Sequence, residues 1–183
     1  MSAAVQTPGA DTAPGHEDAP GLRRRLAAML YEGVLLFGVL MAASIPYAAF
    51  TDQRHALQGR HGFQIFLFIV LGAYFIGFWT HGGQTLAMKT WHIQLRRADG
   101  RPVRLLQAAL RYLASWLWFL PALGVVWLAG LTQGSAQFWS TLLAGMLIYA
   151  GLSRLLPGRQ FLHDVICRTR LVRRVPPPRP ARR

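Results

Sequence analysis

Arg25 to Phe50, RLAAMLYEGVLLFGVLMAASIPYAAF, reads as a helix that crosses a membrane and carries one acid, Glu32, about two turns inside its basic end. A bilayer core about 30 Å thick needs about 20 helical residues to cross it, and this stretch is long and apolar enough. An ionisable side chain at the middle of such a helix costs roughly 2.5–3.5 kcal/mol on insertion scales, less near the interface, so it is usually paired and often functional. Arg25 lies seven residues earlier on nearly the same helix face, about 10 Å away along the axis. That separation rules out direct contact and calls for a partner from elsewhere in the chain.

The 183 residues are 52% hydrophobic, with 20 Lys+Arg against 7 Asp+Glu. Further apolar runs of about 20 residues place the chain in the membrane class as one domain. Its net charge of +13 brackets those runs, so anionic lipid and topology explain it, and no nucleic-acid partner is expected. Cys167 is the only cysteine, which excludes an intramolecular disulfide. Residues 1–22 are polar and rich in Pro, Gly and Ala, without the apolar core of a signal peptide, and read as a disordered cytoplasmic tail. Residues 174–183 read as a basic Pro-rich tail.

The fold expected for residues 23–173 is an all-α membrane protein with four transmembrane helices, over about 26–50, 63–80, 112–131 and 138–156. A small cytoplasmic β-hairpin lies between helices 2 and 3. Pro121 should kink the third span; a three-span alternative makes that run a buried surface helix. Eighteen of the Lys and Arg residues fall in the tails and central loop and two in the other connections. The positive-inside rule then puts both termini in the cytoplasm of a bacterial cell, with the chain multi-pass in the inner membrane. In the central loop, Trp91, Ile93 and Leu95 alternate with polar residues as in a strand with one buried face. Ala98-Asp99-Gly100 supplies a turn, Arg101-Pro102-Val103 returns, and Arg168 to Val172 offers a third short strand. Gly82-Gly83-Gln84-Thr85 reads as a turn into a short helix with Thr85 as its N-cap.

Three ordered motifs carry a family likeness. Arg25 to Glu32 resembles the opening motif of the RDD family of membrane proteins, an arginine followed seven residues later by an acid, with Glu32 in place of the family's aspartate. Gly83-Gln84-Thr85-Leu86-Ala87-Met88-Lys89 is similar to its Gly-Gln-Thr box, although Ala87 stands where glycine is common. Arg111-Tyr112 sits where a basic residue enters the third span, and Gln160-Phe161-Leu162-His163-Asp164 with Thr169 resembles the closing motif. The resemblance spans Arg23 to Val172. It implies a multi-span protein whose suggested roles run from ion or solute transport to membrane-complex assembly.

Glu32 and Asp164 form the leading candidate ion or proton site, with Arg25, Lys89 and Arg111 as charge partners and Gly83, Gln84, Thr85, His163 and Thr169 as motif residues. A carboxylate poised near neutrality can exchange a proton for a cation; the same charges also suit a clamp between helix ends and hairpin. His81, His92 and His163 lack the spacing of a metal site. Gly82-Gly83 lacks a full Walker pattern, and no serine or cysteine shows a base and orienter. The chain is therefore expected to be no enzyme, to use no metal or cofactor, and to transport an ion or small solute by cation/proton exchange, with a scaffold or assembly role as the alternative. Anionic lipid, further copies of the chain and other membrane proteins are the expected partners.

Overall fold

The computed structural model describes residues 19–51 and 60–174, so residues 1–18 and 175–183 of the expected tails, and most of the first polar connection, lie outside the described residues. The first two helices are α1 (Leu22–Thr51) and α2 (Arg60–Thr80). Helix α1 begins ahead of the expected span, because Pro20 is already buried and its carbonyl accepts from Arg25 Nε at 2.6 Å. Leu30, Val34, Phe37, Met41 and Ile45 of α1 recur at helical spacing and are left uncovered by protein. A stripe of that kind suits hydrocarbon, not water.

The third apolar run is broken as Pro121 requires. Helix α4 (Leu105–Ser115) passes through a 3₁₀ turn at Trp116–Trp118 into α5 (Leu120–Leu128), with Pro121 in the first turn of α5, where a missing N–H is harmless. Helix α6 (Ala136–Leu152) packs on α5, with Gly145 so close to Ala122 that a Cβ there would meet the Ala122 Cβ at 2.5 Å. Three helical segments, Leu22–Thr51, His61–Thr80 and Leu105–Leu128, are long and apolar enough to cross a membrane. Helix α6 is apolar but has only 17 residues, about 25 Å. The four expected spans are thus three long segments and one short one. The third starts well before residue 112, and the fourth ends at Leu152, where the chain turns.

The remaining elements gather at one end of the helices as a compact head: α3 (Leu86–Thr90), β1 (Ile93–Arg97), α7 (Leu162–Ile166) and β2 (Thr169–Arg173). The alternation of Ile93 and Leu95 does form a strand, but the local hairpin is corrected. Strand β1 pairs antiparallel with β2, with Leu95 opposite Leu171. The expected turn exists, Gly100 N donating to Arg97 O at 2.9 Å. The returning arm touches β1 once, Arg97 N donating to Arg101 O at 3.0 Å, and builds no ladder beyond it, because Pro102 has no ladder donor and Val103 is drawn into the core.

Two motif segments cover the ribbon's outer edges. On β1, Leu95 N donates to Gly83 O at 2.7 Å and Gln84 Nε2 donates to Ile93 O at 2.6 Å. On β2, the Gln160 amide accepts from Leu171 N at 2.9 Å and donates to Leu171 O at 3.2 Å. A two-stranded sheet that would otherwise expose two open edges is closed on both.

Gly83 combines φ +72° with a position where a Cβ would stand 2.4 Å from Leu95 O. Gly83→Ala is therefore expected to destabilise the protein by about 2 kcal/mol or more. Gly77→Ala, in open space inside α2, should not destabilise and is expected to gain up to about 1 kcal/mol from helix propensity. Thermal unfolding in detergent checks this, and equal melting temperatures for the two variants would refute it.

Candidate functional site

Glu32 and Asp164 are both buried at the head end of the helices, in two different environments. Glu32, on α1, has 8% of its surface exposed. Its Oε1 accepts from the Tyr74 hydroxyl of α2 at 2.6 Å, and its Oε2 accepts from the Thr85 hydroxyl. Thr85 also caps α3, its Oγ1 accepting from Met88 N at 3.2 Å, as the sequence leads one to expect. Glu32 thus ties α1, α2 and α3 together through neutral donors. Among the described residues it makes no ion pair.

Asp164, on α7, is fully buried and charge-paired. Arg111 of α4 donates from Nε to Asp164 Oδ1 at 2.7 Å, and Thr169 adds a hydroxyl to the same oxygen at 3.1 Å. The Arg111 guanidinium lies over the Trp79 ring, 4.2 Å from its centroid, an arrangement that stabilises a desolvated cation. Arg25 sits against the same cluster, its guanidinium 5.1 Å from the Phe161 ring centroid. Arg25 Nη1 and Asp164 Oδ2 are both buried without a hydrogen-bond partner among the described residues. Lys89 does not join: it is exposed in the last turn of α3 and makes no ion pair among the described residues.

His163 is stacked almost parallel to Tyr149 and Phe161, with interplanar angles of 4° and 18°. Its Nε2 lies 3.4 Å from Arg111 Nη2 and its Nδ1 2.9 Å from the Tyr149 hydroxyl. Arginine only donates, so Nε2 is the acceptor and Nδ1 carries the proton toward Tyr149. Burial, with the Arg111 charge acting the same way and Asp164 opposing, pushes the His163 pKa down to about 4, so the ring is neutral at pH 7. For Asp164 burial acts upward, but the Arg111 charge, His163 and the hydrogen bonds from Arg111 and Thr169 outweigh it and hold the carboxyl below its usual range.

The candidate residues therefore form two clusters, one around Glu32 and Thr85 and one around Asp164, Arg111, His163, Thr169 and Arg25. Gly83 and Gln84 support the ribbon beside them. Tyr74, Tyr149 and Trp79 do not stand out in the sequence reading, although a hydroxyl inside an otherwise apolar span is itself a signal of a buried partner. His81 and His92 are exposed and outside both clusters, and among the described residues no three His, Cys, Asp or Glu side chains are grouped to hold a metal.

The chain matches the profile of the RDD family over residues 19–168. It belongs to that family, whose members are membrane proteins. No curated protein and no solved structure matches it.

The His163 environment sets a pH dependence. Between pH 4 and 6.5 the unfolded imidazole binds a proton that the folded one refuses, so stability rises with pH through that window, by roughly 3 kcal/mol in all. Asp164 acts in the same sense at lower pH, its stabilisation being lost as pH falls through its depressed pKa. The melting temperature should therefore fall on acidification from about pH 6.5 to 4.5, and His163→Gln, which cannot titrate, should flatten that slope. Parallel profiles for the two proteins would contradict the assignment.

Proposed function

We propose that this RDD-family membrane protein exchanges a proton for a small cation across the membrane, with Glu32 as the exchanging acid and the head on the cytoplasmic side of a bacterial inner membrane. The observation that carries the reading is the contrast between the two acids. Asp164 is bound to an arginine, which does not lose its proton, so its charge is fixed. Among the described residues Glu32 is bound only by hydroxyls. A hydroxyl can donate to a carboxylate or turn and accept from the protonated acid, so protonating Glu32 strands no buried cation. Arg111 and Asp164 then act as a fixed neutral pair, with the buried Arg25 charge beside them.

The helix arrangement bears on how such a path is lined. The closest helix packing runs α1 to α2, α2 to α4 and α5 to α6. So few helices leave little room for a lined path, and exchange calls for further copies of the chain. The second reading, a scaffold or assembly partner in a membrane complex without enzymatic activity, draws on the closed, ion-paired cluster around Asp164, which suits a rigid docking head.

Proton flux driven by a cation gradient in proteoliposomes separates the two. Exchange predicts flux in the intact protein, its loss in Glu32→Gln with the melting temperature nearly unchanged, and mainly lost stability in Asp164→Asn. Undiminished flux in Glu32→Gln removes Glu32 from the mechanism. No flux under any cation gradient rejects exchange and favours the scaffold.

A further inference from the structure

Beside the third span, outside both acid clusters, a groove of about 230 Å³ is lined by Arg97, Arg104, Leu106, Gln107, Leu110 and Cys167. We propose that this groove is a binding site for one anionic phospholipid, its phosphate held between Arg97 and Arg104 and its acyl chains lying along Leu106 and Leu110. The inference rests on the membrane placement of the chain and not on whether ions move.

The level is the first argument. Arg104 immediately precedes the apolar segment Leu105–Leu128, at the basic end of a span, where arginines meet lipid headgroups. Both chemistries of a lipid meet there: Leu106 is 72% and Leu110 52% exposed, one helical turn apart on α4, and exposed Ile166 of α7 adjoins Cys167. A soluble anion has no use for that apolar wall, whereas a lipid covers the leucines and the charges together.

The cations are the second argument. Arg104 is exposed and its side chain makes no hydrogen bond or ion pair among the described residues. Arg97 holds exposed Asp99 through Nη2 at 3.2 Å, a surface pair worth little that a phosphate can replace. Gln107 floors the groove: its Nε2 is engaged by Cys167 O at 2.7 Å and Arg168 O at 3.2 Å, which keeps the wall rigid. The volume is below the roughly 300–1,000 Å³ of sites that enclose whole small molecules, and fits a headgroup whose tails remain outside.

The test uses the full chain, delipidated in detergent, with phosphatidylglycerol, phosphatidylcholine of the same acyl chains, or inorganic phosphate added. Lipid retention is read by native mass spectrometry and stabilisation by melting temperature. The wild type should retain one phosphatidylglycerol in preference to phosphatidylcholine and be stabilised by it, while inorganic phosphate has no such effect. The R97Q/R104Q variant should bind it about 30-fold more weakly, roughly fivefold for each cation removed, with an unchanged lipid-free melting temperature. R154Q/R159Q, which removes two exposed arginines in the connection between α6 and α7, should bind as the wild type does. Equal retention by R97Q/R104Q, an equal loss in R154Q/R159Q, or displacement of the lipid by inorganic phosphate would each overturn the proposal.

Discussion

The buried ion pair between Arg111 and Asp164 is the contact on which the head depends. A carboxylate with none of its surface exposed is tolerable only beside a cation, and an arginine at the start of a span is tolerable only beside an acid. Helix α7 therefore cannot dock without α4, nor can the third span slide along its axis without stranding both charges. The constraint then propagates. Strand β2 follows α7 directly, β1 pairs with β2, and Gly83 and Gln84 close the edge of β1. Thr85 follows them and reaches Glu32 on α1. Segments far apart in sequence are thereby fixed around one charge pair.

That arrangement explains why the family's motif residues are polar yet buried. Gln84 and Gln160 supply side-chain amides where a third and fourth strand would otherwise be needed. Arg25 and Arg111 each lie against an aromatic ring, which replaces part of the hydration their charges lose. The ribbon itself is too small to persist alone, and its stability comes from the segments that cap it. The two acids then differ in kind: Asp164 is locked by a permanent cation, and Glu32 is held by groups that accept either protonation state.

Much of this was legible in the sequence, and the errors have physical causes. The apolar runs announced the spans, Pro121 announced the break in the third, and Thr85 announced a cap, because each is a local property. The main partner of β1 is non-local: a turn at Asp99-Gly100 suggests a hairpin, while Pro102 stops the return arm after Arg101 and the strand near the C-terminal end takes its place. Lys89 looked equivalent to Arg111 as a nearby cation, but one turn of α3 carries it to the surface. Tyr74 and Tyr149 are not legible as site residues because a tyrosine in a span reads first as an apolar or interfacial ring, and only the fold shows which acid or imidazole its hydroxyl meets. The family motifs signalled which residues matter without signalling that two glutamines close a sheet.

The most direct measurement is a double-mutant cycle on Arg111→Met and Asp164→Asn, by reversible unfolding in detergent micelles. If the ion pair holds the head, each single variant loses about 3–5 kcal/mol. The double variant then loses less than the sum, leaving a coupling of about 2–3 kcal/mol. Additive losses, or single variants as stable as the wild type, would contradict the account.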